Sequence, residues 1–344
     1  MFLSNIESLG YIQRQMRDLK MNNGQTVSVL MACFNGEHWI EKAIVSVVDQ
    51  SHPIDEFVIV DDGSTDNSVD IVRRWADKDK RFKVIRKDNT GLADSLNVGI
   101  RACSCDWIAR IDVDDLWHQD RLKKQIEVLF KDSNIQFVCG STIEINGQGQ
   151  EVKHFKYPTQ HKALRNNLLS MKKFPAHSSV IYRKSLVEKL GLYRDCKKIS
   201  EDHDMWLRIS EETELVCCND SITYVRKHDG PSISAINSGL TQQGDAFTSV
   251  CCAYARFLCV EEPINLSDSD FDKFQVEKDK VLNKFHFYEF FLFIKWIKNI
   301  FNFDKKIPRD VELKRIFYFA YIYIFRFHYL RRISKKILNI NFKD

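Results

Sequence analysis

Two short, almost unbroken apolar runs, Val27 to Phe34 (VSVLMACF) and Glu56 to Asp61 (EFVIVD), constrain this chain more than any other feature. A strand that is apolar on both sides must be covered on both faces, which is the condition of a parallel sheet between helices. The residues that follow supply those helices: Ile40, Ile44 and Val47 recur at three-to-four spacing after the first run, and Val69, Val72 and Trp75 after the second. Phe82 to Ile85, then Leu92, Leu96 and Ile100, then Trp107 to Ile111 continue the alternation. A doubly wound α/β layer is expected. In open sheets of this kind ligands bind beyond the carboxyl ends of the strands, so chemistry is sought in the residues just after each run.

Those residues are polar and acidic. Asp61-Asp62-Gly63-Ser64-Thr65-Asp66-Asn67-Ser68 reads as a turn with Thr65 or Asp66 capping a helix, or as a nucleoside pocket. In the second reading a carboxylate accepts from a uracil imide N–H or from ribose hydroxyls. Asp112-Val113-Asp114-Asp115 brings three carboxylates out of a buried strand. Like charges so close raise one another's pKa, and a divalent cation bridging to phosphate removes that cost, so Mg²⁺ or Mn²⁺ is preferred here to a solvated loop. Glu201 and Asp202 open a helical pattern, either as acids favoured by the helix dipole or with one of them as a general base. His228 follows the strand-like Tyr224-Val225-Arg226-Lys227, and its imidazole suits Mn²⁺.

Charge is unevenly distributed. Residues 281–344 carry 14 Lys and Arg against 5 acids, together with 18 of the 41 aromatics, although the whole chain has a net charge of only +4. The stretch 281–338 fits aromatic helices packed on the catalytic domain, or interfacial helices lying on an anionic membrane with Lys and Arg outward; the membrane reading is preferred, and the apolar density suits lipid better than nucleic acid. No window approaches about 18 uncharged apolar residues, so no spanning helix is expected. The first residues, MFLSNIESLGYIQRQMRDLK, lack the pattern of an export signal, and the 10 cysteines are scattered with no CxxC pair. Reduced thiols and a cytoplasmic location are therefore expected.

In their order, VSVLMACFNG, FVIVDDGSTDNS, GLADSLNVGI, ARIDVDDLW, HSSV (His177 to Val180), EDHDMWLR and YVRKH resemble glycosyltransferase family 2, in particular enzymes that build bacterial surface polysaccharides such as O-antigen and capsule. The resemblance implies a GT-A fold over residues 26–235, between an extension at 1–25 and a basic, aromatic helical region at 236–344. It implies a metal-dependent, inverting hexosyltransferase that uses a nucleotide-sugar donor, most simply a UDP-sugar. By position, Ala32, Cys33 and Phe34 with Asp62 and Asp61 form the nucleoside pocket, Asp112 and Asp114 hold ribose and metal, His228 adds a metal contact, and Asp202 is the catalytic base. His177 falls near the acceptor side.

Two departures stand out. Ser95-Leu96-Asn97 replaces an Ala-Arg-Asn that often contacts the diphosphate, and the Gln-x-x-Arg-Trp of processive synthases is absent. Transfer of one sugar per acceptor is expected, forming a β-linkage on a saccharide carried by polyprenyl diphosphate, by a protein peripheral to the inner face of the bacterial cytoplasmic membrane. A nucleotidyltransferase would need a glycine-rich basic loop where Asn35-Gly36-Glu37 stands. An inactive nucleotide-sugar-binding or scaffold protein at the membrane is disfavoured by the intact Asp114 and Asp202.

Overall fold

The computed structural model describes residues 26–170, 172–194, 200–227, 249–250, 252–253 and 256. The 1–25 extension, His228 and nearly all of the 236–344 region, including the expected membrane segment 281–338, lie outside the described residues.

The expected alternation forms the first half of the fold: β1 (Val27–Cys33), α1 (Ile40–Val48), β2 (Glu56–Asp62), α2 (Ser68–Ala76), β3 (Phe82–Lys87), α3 (Leu92–Ala102) and β4 (Trp107–Arg110). Every residue of β1 is buried. Val29 and Met31 belong to one cluster with Ile40, Ile44 and Val47 of α1 and with Ile71 and Val72 of α2. The opposite face meets α3, and the fit there is close enough to require a glycine. A Cβ on Gly99 would lie 2.2 Å from Leu30 Cδ1 and 3.1 Å from Val60 Cγ2.

The second half contributes β5 (Leu116–Trp117), α4 (Arg121–Leu129), β6 (Phe137–Ile145), β7 (Glu151–Phe155), α5 (His161–Leu169), β8 (Ile181–Arg183), α6 (Lys184–Lys189), α7 (Glu201–Glu212) and β9 (Leu215–Arg226). The nine strands make one sheet in the order β3-β2-β1-β4-β8-β6-β9-β5, with β7 paired to β6. It is parallel from β3 to β4 and between β6 and β9. The pairs β4–β8, β6–β8, β5–β9 and β6–β7 are antiparallel. β8 therefore joins two parallel blocks. The buried side chain of Arg121 crosses that seam: its guanidinium donates to the carbonyls of Arg110 (3.0 Å) and Val180 (2.8 Å) and lies over the Trp117 ring. Among the described residues no helix is long and apolar enough to cross a membrane.

Candidate active site

The carboxyl ends of β1, β2 and β3 set Cys33, Asp61 and Arg86 side by side in register, with Asp62 beside Lys87. Beyond Cys33, Phe34 is half exposed at 50%. The next residue, Asn35, takes the left-handed conformation (φ 51°), which asparagine tolerates better than most residues. The loop is then tied to the DGSTDNS turn. Ser64 Oγ accepts the Asn35 N–H (2.9 Å), Ser68 Oγ accepts the Gly36 N–H (2.8 Å) and Asp66 accepts the Glu37 N–H (3.0 Å). Asp66 also accepts the Ser68 N–H at 3.0 Å, the local turn-forming bond expected of it. Much of this motif thus shapes a wall.

The two adjacent aspartates of that motif differ sharply. Asp62 accepts N–H groups from Thr90 (3.0 Å) and Gly91 (2.9 Å) and pairs with Lys87, so its carboxylate holds the turn before α3. Burial alone would raise its pKa, but these donors keep it below the ordinary carboxylate range. Asp61 is 3% exposed and faces Arg86 at 3.5 Å through Oδ2, while its Oδ1 has no hydrogen-bond partner. A buried acceptor without a donor is costly, and a ligand N–H or O–H would relieve it.

At the end of β4 the fully buried Arg110 forms an ion pair with Asp112. Ser178 donates to Asp112 Oδ2 at 2.7 Å and accepts the Asp112 N–H at 2.8 Å. Against the effect of burial, Arg110 and Ser178 keep the Asp112 carboxyl below its usual range. Asp114 is partly buried two residues on, and Asp115 is buried. Burial and the charges of Asp114 and Asp112 push the Asp115 carboxyl well up. Gly36 lets the nucleoside-side loop come close, since a Cβ there would sit 2.4 Å from Val113 Cγ2.

These residues suit a hard divalent cation. Asp112 and Asp114 are partly exposed carboxylates two residues apart after β4, although among the described residues no group of three or more His, Cys, Asp or Glu converges on one point. Two carboxylates could hold Mg²⁺ or Mn²⁺ only with other oxygen donors, such as those of a diphosphate, completing the coordination.

Glu201 and Asp202 lie in the first turn of α7, as expected. Asp202 accepts the His203 N–H at 2.7 Å. Burial, followed by the charge of Asp112, outweighs that bond and raises its pKa to about 6. Glu201 is buried and is pushed to about 8 by burial and by Asp202. At neutral pH, then, Asp202 is ionised and Glu201 carries a proton. His177 is buried rather than open to an acceptor: Nε2 meets the Tyr193 hydroxyl at 2.8 Å and Nδ1 lies 3.7 Å from Glu201. Burial, then Arg110, lowers its pKa to about 3, so it is neutral.

Several contributors were not singled out by sequence reasoning. Asn97, in the segment that departs from the family pattern, clamps the backbone of Tyr193 through two bonds, to O (2.8 Å) and from N–H (2.9 Å). Arg110, Ser178 and Arg226 hold the acid loop. A buried arginine beside a strand-end aspartate was the one available signal for Arg110, but burial is not visible in sequence.

The profile of glycosyl transferase family 2 matches residues 28–191. A Bacillus subtilis relative named putative glycosyltransferase EpsE is 32% identical over 196 residues, which cover 56% of this chain and 69% of that one. The Escherichia coli O-antigen biosynthesis glycosyltransferase WbnJ is 29% identical over 188 residues, covering 54% of this chain and 72% of its own. Among solved structures, Staphylococcus aureus TarS 1-349 in complex with UDP-GlcNAc has a TM-score of 0.57 at 18% identity over 80% of each chain. At that identity the likeness concerns the fold, which is GT-A.

Proposed function

This chain belongs to glycosyl transferase family 2, and from that premise we propose that it transfers a single hexose from a UDP-sugar to a saccharide hydroxyl with inversion. The observation that carries the reading is the pair at the start of α7. Two adjacent carboxyls have pKa values driven apart, to about 6 and about 8, so Asp202 alone is an ionised base at neutral pH. The charge of Asp112 contributes to raising its pKa, which supports reading the two acids as parts of one site.

In the reaction, Asp202 takes the proton of the acceptor hydroxyl while that oxygen bonds to the anomeric carbon. The bond from that carbon to the diphosphate oxygen breaks on the opposite side, releasing nucleoside diphosphate. An α-linked donor gives a β-linked product. Asp112, Asp114 and His228 would hold Mn²⁺ or Mg²⁺, which when bound supplies Lewis-acid stabilisation of the departing diphosphate. Asp61, with its unpartnered oxygen, suits a uracil imide N–H, and Ala32, Cys33 and the exposed Phe34 line the same strand ends. Asp62 supports this pocket through the turn before α3.

The acceptor is read as a saccharide on polyprenyl diphosphate in surface-polysaccharide assembly, in keeping with the O-antigen biosynthesis for which the relative WbnJ is named. Residues 281–338 are read as the contact with the anionic inner leaflet. Proton NMR of the product tests the stereochemistry. An axial–axial coupling at the new anomeric centre is expected from an α-gluco- or α-galacto-configured donor, and retention of the α configuration overturns the single-displacement reading.

A further inference from the structure

Arg226, the last residue of β9, is only 7% exposed. Its donors go to carbonyl oxygens of two separate loops. Nε donates to Asp114 O at 3.0 Å, and Nη1 donates to Asn146 O at 2.9 Å and Gly147 O at 3.2 Å. Its guanidinium carbon stands 4.3 Å from the centroid of the Trp39 ring. Its own backbone N–H donates to Asp115 Oδ1 at 2.8 Å. One side chain thus joins the nucleoside-side loop before α1, the acid loop after β4 and the turn between β6 and β7.

We propose that Arg226 is a positioning residue that sets the divalent-cation and nucleotide site by fixing the backbone of Asp114. This rests on the reading of Asp112 and Asp114 as cation ligands. Holding the Asp114 carbonyl fixes the peptide plane on one side of its Cα, while the bond from the Arg226 N–H holds the neighbouring Asp115, so the direction in which the Asp114 side chain leaves the backbone is set. A lysine keeps the charge but has neither the planar face that stacks on Trp39 nor the fork that reaches two loops at once, so charge and geometry are separable here. Groups that orient metal ligands from outside the coordination sphere typically contribute tenfold to a hundredfold to metal affinity.

The test uses the full chain and two binding measurements by calorimetry: UDP in EDTA, and Mn²⁺ in the presence of UDP. Arg226→Lys is expected to weaken Mn²⁺ affinity about tenfold or more, with UDP affinity in EDTA changed less than about threefold. Trp39→Leu, which leaves the fork in place and removes its stacking face, is expected to shift Mn²⁺ affinity the same way by about threefold, less than the loss of the fork itself. It serves as the deciding variant if Arg226→Lys does not fold. Unchanged Mn²⁺ affinity in the folded variant, with only a fall in Tm, overturns the proposal and leaves Arg226 as a strut. Wild-type protein whose UDP binding ignores Mn²⁺ overturns the cation reading itself, and the two failures are told apart by the wild-type titration.

Discussion

Replacing Asp202 by asparagine should make the unliganded protein more stable while it sharply slows transfer. In the folded state the Asp202 carboxyl is raised from 3.8 to about 6, which at 1.36 kcal/mol per pH unit corresponds to about 3 kcal/mol against the ionised form. Asparagine removes that charge and keeps an oxygen for the His203 N–H. It also removes a favourable carboxylate from the first turn of α7, which offsets about 0.3–1 kcal/mol. The desolvation and repulsion effect is the larger, leaving a net gain of about 2 kcal/mol, or about 4–8 °C in Tm for a domain of this size. The sign with pH follows from linkage. Because the folded pKa is raised, the wild-type carboxyl is not destabilising below about 4 and becomes fully so above about 6, so the advantage of the variant should grow from acid to pH 8. Loss of a general base should cut transfer by about 10²–10⁴. Paired thermal melts at pH 5 and pH 8, with a transfer assay on the same preparations, measure both. A variant less stable than wild type at pH 8, or one that turns over within about tenfold of wild type, would refute the reasoning.

The pH profile of kcat/KM should rise with deprotonation of Asp202 and show an acid limb at or below about 6, since a cation at Asp112 lowers the repulsion that raises it; a limb above 7 contradicts the assignment. Ser178→Ala removes the hydroxyl that donates to Asp112 Oδ2 and accepts its N–H, and should weaken Mn²⁺ binding in the presence of UDP about tenfold by calorimetry, with no change expected if Asp112 is not a ligand. Gly99→Ala puts a methyl group 2.2 Å from Leu30 Cδ1 between α3 and β1, and should cost about 1–3 kcal/mol in urea unfolding.

The parallel half of the sheet was legible because its strands are apolar on both faces and short. The run read as Val27 to Phe34 is a strand to Cys33, and the Trp107–Ile111 run ends at Arg110. The joining of the two parallel blocks was not legible. β8 is three residues long, and its antiparallel pairing to both β4 and β6 depends on contacts far apart in sequence. The acidic motifs were legible as motifs, but not in detail. Neighbouring residues on a strand point to opposite faces, so identical side chains at 61 and 62 acquire different partners that no composition rule reveals. Arg110, Ser178 and Arg226 act through backbone register and burial, which appear only once β4, β9 and the 177–179 turn are brought together.

The most direct measurement is release of free nucleotide from UDP-, GDP- and dTDP-sugars, with Mn²⁺ or with EDTA, with and without a synthetic lipid-diphosphate saccharide. The account predicts release from a UDP-sugar that needs the cation and is stimulated by the acceptor. Tight UDP binding with no release from any donor under any of these conditions would contradict it.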